Sequence, residues 1–116
     1  GDTVMIKNDG VFLAHITDAI SQIELYTQGL DAEGFRQNRL VQDAVIRQFE
    51  IIGEASKNVS PALHNQYPEV PWKDLAGFRD KLIHHYFGVD IVSVWLSVTT
   101  DLPVLKQQMA SLIANQ

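Results

Sequence analysis

The chain is expected to fold as an all-α, up-and-down bundle of four main helices, and three observations point there. Apolar residues recur at three- and four-residue steps in separate stretches, the period of a helix with one buried face. Candidate N-caps and stop residues bracket those stretches. No pair of alternating strands, internal repeat or low-complexity tract interrupts the pattern. With 46% of residues apolar and 20% charged, there is material for a packed core and too little charge for a wholly disordered chain. A length of 116 residues places residues 1–116 in a single domain.

The first helix follows from Phe12, Ile16, Ala19, Ile23 and Tyr26, with Asp9 as N-cap and Gly29 as stop. After a short connection at residues 30–31, Val41, Val45, Ile52, Ala55 and Val59 mark one face of a longer helix, which Leu40, Ala44 and Ile51 widen. Gly53 lies inside it at a cost of up to about 1 kcal/mol in helix propensity, which close approach of another backbone would offset. Residues 60–72 carry Pro61, Pro68 and Pro71, each biasing its predecessor away from helical geometry, so a structured connector is expected there. A third helix begins near Trp72, with Pro71 near its first turn, and runs through Arg79 towards Gly88.

Asp90 caps a fourth helix, in which Ile91, Trp95, Val98, Leu102, Leu105, Met109 and Leu112 give the strongest periodicity of the chain. Pro103 is expected to kink or divide it. Between residues 91 and 113 only Asp101 and Lys106 are charged, too few for a helix exposed along half its circumference. Val92, Val94 and Leu96 flank the main stripe, and their burial against a second copy predicts a two-fold homodimer.

Several function classes are excluded. The absence of cysteine removes thiolate catalysis, disulfides and cysteine-ligated zinc, and it fits a reducing, cytoplasmic setting. No apolar run approaches the roughly 20 residues of a membrane span, so no membrane partner is expected. A formal charge of −5 argues against a broad basic surface, so any nucleic-acid contact must be local. His15 and His64 have no paired ligand spacing, while adjacent His84 and His85 diverge by about 100° on a helix, so neither a metal nor a cofactor is expected.

The chemically dense segment is residues 77–88, GFRDKLIHHYFG. Asp80 and His84 are four apart and nearly in line, so the carboxylate can accept a proton from one imidazole nitrogen and fix the tautomer of the other. Arg79 and Tyr86 are seven apart and share a face, placing a permanent cation near a phenol. Arg79 and His84 are five apart, about 140° around an ideal helix, so a bend, long side chains or a second protomer must bring them to one point. The blander readings are a solvated Arg79–Asp80 pair, a buried structural His84, and a Tyr86 at the edge of the core. Trp72 and Trp95 read as packing anchors, His85 as structural, and Glu54 as a surface acid, with a place lining the dimer cleft as its alternative.

Arg79, His84 and Tyr86 form an RxxxxHxY motif late in a short helical chain, and here the sequence resembles the HEPN domains, in particular the HepT-like toxins. Ile51, Ile52, Gly53, Glu54 and Ala55 in the second helix, Pro71 and Trp72 before the third, and Asp101, Leu102 and Pro103 in the last also resemble family features, so the likeness covers most of the chain. It implies a homodimeric, metal-independent endoribonuclease toxin with a composite cleft built from the motif of both subunits. It further implies a cognate nucleotidyltransferase antitoxin able to attach adenylate to the motif tyrosine. The residues suit such chemistry: His84 as general base towards a ribose 2′-hydroxyl, Arg79 stabilising charge on phosphoryl oxygens, Asp80 orienting His84, and Tyr86 positioning phosphate or receiving the modification. The alternative is a non-catalytic nucleotide- or protein-binding module whose Tyr86 is adenylylated by the partner, and a third possibility is a structural helical dimer with no site.

Overall fold

A computed structural model describes residues 8–84 and 88–116, and among these the secondary structure is entirely helical. Helix α1 (Asp9–Thr27) buries Leu13, Ile16, Ala19, Ile20 and Ile23, and the chain leaves it through Gly29 at φ +78°, a conformation that suits a residue without Cβ. Asp9 does not cap α1. It is the first helical residue, is buried, and accepts hydrogen bonds from the amide (2.8 Å) and hydroxyl (2.7 Å) of Ser60. A buried carboxylate needs such donors, and Ser60 supplies two of them from 51 residues along the chain.

The connection after α1 holds a short helix, α2 (Ala32–Arg36), that periodicity is too short to reveal. Asp31 caps it by accepting from the Gly34 amide, and its one buried residue, Phe35, is fully enclosed. Helix α3 (Arg39–Asn58) starts from Asn38, whose side chain accepts from the Val41 amide. Gln42 on α3 ties down the end of α2 by donating to the carbonyls of Phe35 and Arg36 at 2.9 and 2.8 Å.

The proline-bearing connector is structured and contains α4 (Pro61–Gln66). Ser60 caps α4 by accepting from the Leu63 amide while it binds Asp9, so one side chain joins two helix starts. Helix α5 (Trp72–His84) begins where the Pro71 carbonyl accepts from Leu75. Trp72 anchors it: the ring is buried, its indole N–H donates to the Tyr67 carbonyl, and it stacks on His64 at 4.9 Å.

The last long helix is continuous but not regular. Its first part, α6 (Ile91–Leu96), is capped by Asp90, which accepts from the amides of Val92 and Ser93. A π-helical turn at Ser97–Asp101 leads into α7 (Leu102–Ala114), with Pro103 in the first turn of α7. The expected kink is thus a widened turn, placed just before the proline that has no N–H to give and crowds the preceding carbonyl.

Helix α3 is the central element, with α1 and α5 against it and α7 returning onto α1. Val94 is a correction: it faces the chain's own core at 1% exposure, because α2 covers this end of the helix and Phe35 stacks on Trp95 with ring centroids 5.0 Å apart. Val92 and Leu96 remain exposed. No helix is long and apolar enough to cross a membrane among the described residues.

Candidate active site

The site is built on α5, whose approach to α3 depends on Gly53. A Cβ at that position would collide with Cβ of Arg79 and lie 2.7 Å from the Leu75 carbonyl oxygen. The glycine therefore lets the α5 backbone close onto α3, as its place inside a helix suggested, and the residue pressed against it is Arg79.

From there the guanidinium extends between two carboxylates. Nε lies 3.1 Å from Glu54 Oε2, and Nη1 donates to Asp80 Oδ1 at 3.0 Å. The Arg79 side chain is 27% exposed, while those of Glu54 and Asp80 are more than half exposed. Pairs this open contribute roughly 0–1 kcal/mol to stability, so what they supply is aim. Nε and Nη1 are directed at carboxylates, and Nη2 makes no hydrogen bond among the described residues.

Arg79 borders a groove of ≈ 600 Å³ between α1, α3 and α5, with Phe12, His15, Arg47, Glu54 and Ile83 among its walls. His15 sets its ring edge-to-face against Phe12. His84 does not border this groove; it is exposed at the end of α5. Because α5 is a regular helix through His84, the roughly 140° between the two positions stands, and one chain does not converge them.

Asp80 and His84 are joined by no hydrogen bond among the described residues; the carboxylate is turned to Arg79 instead. His84 is not a buried structural histidine. Tyr86, together with His85, lies outside the described residues. Glu54 is the participant that sequence reasoning undervalued: its signal was adjacency to Gly53, but which helix would press on that glycine was a tertiary fact. Among the described residues no three His, Asp or Glu side chains gather as a metal site.

Comparison with known proteins bears on what this arrangement does. Residues 16–112 match the family described as Ribonuclease HepT-like. The chain is 46% identical over 101 residues, 87% of its own length and 92% of the relative's, to a protein of Thermococcus cleftensis named "Probable ribonuclease HepT". It is 41% identical over 104 residues, 90% of each chain, to "Putative RNase MJ0125" of Methanocaldococcus jannaschii. A third relative, from the same organism, is named "Gamma-glutamylcyclotransferase and putative RNase MJ0434"; it is 41% identical over 109 residues, 94% of this chain but 49% of the relative. No solved structure matches.

Proposed function

This chain belongs to the HepT-like ribonuclease family, and on that premise we propose that it is a metal-independent endoribonuclease acting as a two-fold dimer. The observation that carries the reading is the state of Arg79: two carboxylates and a glycine contact hold a partly exposed guanidinium in place, on the same helix as an exposed His84. An arginine held in this way is pre-set to meet charge that develops on a phosphoryl group.

In this reading His84 takes the proton of a ribose 2′-hydroxyl, and the freed oxygen attacks the adjacent phosphorus. The new 2′-O–P bond forms as the P–O5′ bond breaks, and the proton held by His84 is available to the departing 5′ oxygen. The nucleophile belongs to the substrate, so no metal hydroxide is required. Asp80 is the group that orients His84 once substrate phosphate takes its place on Arg79. Convergence of Arg79 and His84 is assigned to two copies meeting along the exposed apolar positions Val92 and Leu96. The biological setting we propose is a toxin restrained by a nucleotidyltransferase antitoxin that adenylylates Tyr86.

Purified protein should run at twice the chain mass in light scattering and should cleave single-stranded RNA in the presence of a chelator, leaving cyclic phosphate ends. His84→Ala should lower the rate by about 10²–10⁴, and His85→Ala by far less. Arg79→Ala should cost about 10² or more. Intact RNA at high enzyme concentration, or equal cleavage by the His84 and His85 variants, would overturn the nuclease reading.

A further inference from the structure

An acidic protein that acts on RNA must hold a polyanion with few cations, and the distribution of ion pairs indicates which ones are available. Every described arginine is engaged by a carboxylate: Arg36 by Glu33, Arg39 by Asp43, Arg47 by Glu50, and Arg79 by Glu54 and Asp80. Lys106 is held by Glu24 at 2.9 Å. Among the described residues, Lys57, Lys73 and Lys81 are the cations with no carboxylate within ion-pair distance.

These lysines are not scattered. Lys73 and Lys81 are both on α5, about 12 Å apart along its axis, and His84 lies about 4.5 Å beyond Lys81. Viewed down an ideal helix, Lys73, His84 and Lys81 fall within an arc of about 80°. Between them is Gly77, where nothing stands within 4 Å of an added Cβ, so that face is open. Asp80 lies about 20° outside that arc, next to Lys73, and its carboxylate is turned to Arg79. Lys57, in the last turn of α3, faces Lys73 across a groove of ≈ 510 Å³, with His64 stacked on Trp72 in its wall. Asp74 also borders that groove, in the first turn of α5, where a carboxylate meets the positive end of the helix.

We propose that single-stranded RNA approaches His84 along the outer face of α5, with its phosphates held by Lys81 and Lys73 on that face and by Lys57 across the adjoining groove. The inference rests on the nuclease reading for its direction, since His84 marks the end of the track. Single-stranded RNA fits better than an acidic protein segment because the cations form a line leading to the proposed base, as phosphate contacts do when they set register for chemistry elsewhere.

The test uses the full chain and a 2′-O-methyl oligoribonucleotide, which binds without being attacked because the nucleophilic hydroxyl is blocked. Binding is followed by fluorescence anisotropy across a salt series. Combined Lys57→Ala, Lys73→Ala and Lys81→Ala replacement should weaken binding and reduce the slope of log affinity against log salt by about 2, at about 0.7 per lost phosphate contact on a single strand. Lys106→Ala should leave both unchanged. On cleavable RNA the triple variant should show a raised KM with kcat retained at saturation. Unchanged affinity and slope in the triple variant, or no binding by the wild type, overturns the track. Displacement of the RNA by polyglutamate of equal charge would overturn it in favour of an acidic protein partner. Wild type that binds through these lysines yet cleaves no RNA would overturn the nuclease reading and leave the track standing.

Discussion

Helix α3 buries Val45, Phe49, Ile52 and Ala55, with Gln42 and Ser56 beside them, whereas α5, packed against it, buries only Trp72 and Leu82 among its described side chains. The two helices share an interface but differ in what their sequences commit to it. In α3 most turns place an apolar side chain in the core. In α5 Trp72 and Leu82 are buried, Leu75 and Phe78 pack partly exposed against the core, and Lys73, Arg79, Asp80, Lys81 and His84 lie at the edge or in solvent. The difference teaches that the buried side chains are concentrated on α3 and the exposed charged ones on α5, and that the glycine contact between them is where one helix can disturb the other.

That division can be broken most severely from the α3 side. Ile52 is 1% exposed, so Ile52→Ala should cost about 2–5 kcal/mol of unfolding free energy in urea titration, through lost transfer energy and the cavity left behind. His84→Ala, measured in the same way, should leave stability nearly unchanged, since the side chain is exposed.

Gly53→Ala probes the boundary. The added methyl meets Arg79 and the Leu75 backbone, so α5 must move, at a cost of about 1–3 kcal/mol that the better helix propensity of Ala offsets only in part. Because the displaced residue is Arg79, RNA cleavage by the still-folded fraction should fall more than stability does. Activity that simply follows the folded fraction would show that the contact serves packing alone.

A smaller loss than at Ile52 or Gly53 is expected at Asp90, at the start of α6 and away from both helices. Its carboxyl is held below the usual carboxylate range, first by the Ser93 hydroxyl and then by the amides of Ser93 and Val92. A lowered folded value means the stabilisation is complete above the ordinary carboxylate pKa and is lost as pH falls through the folded one. Asp90→Asn should therefore be slightly less stable than wild type near neutrality, and the gap should close on acidification; a gap independent of pH would show that charge plays no part in the cap.

Legibility from sequence followed the range of the interactions. The start of α5, the cap at Asp90 and the stop at Gly29 depend on residues a few positions apart, and they were readable; the start of α3 was not, because the short α2 occupies the stretch after residues 30–31. Gly53 announced a close approach without naming its partner, because no local pattern tells which helix will arrive there. Asp9 was misread for the same reason: a carboxylate at a helix start looks like a cap, and only the return of Ser60 shows where its oxygens point. The motif residues were found by type and spacing, but the turn of Asp80 towards Arg79 reflects competition between two neighbours at similar reach, which spacing does not rank. Val94 was assigned outward because a helix pattern shows its own stripe and not the short α2 that covers its flank.

The Asp9–Ser60 link also has a kinetic meaning. Its partners are 51 residues apart, so it exists only after α1 and α3 have closed into a hairpin and their connection has given up its freedom. Contacts of that separation cannot nucleate folding cheaply, which assigns the link to a late step, after local helix formation in α1 and α3. Once made, it joins the first turn of α1 to the first turn of α4. Neither end can then fray alone without breaking the two hydrogen bonds that the buried Asp9 accepts from Ser60, and two segments that would otherwise open independently are placed in one cooperative unit.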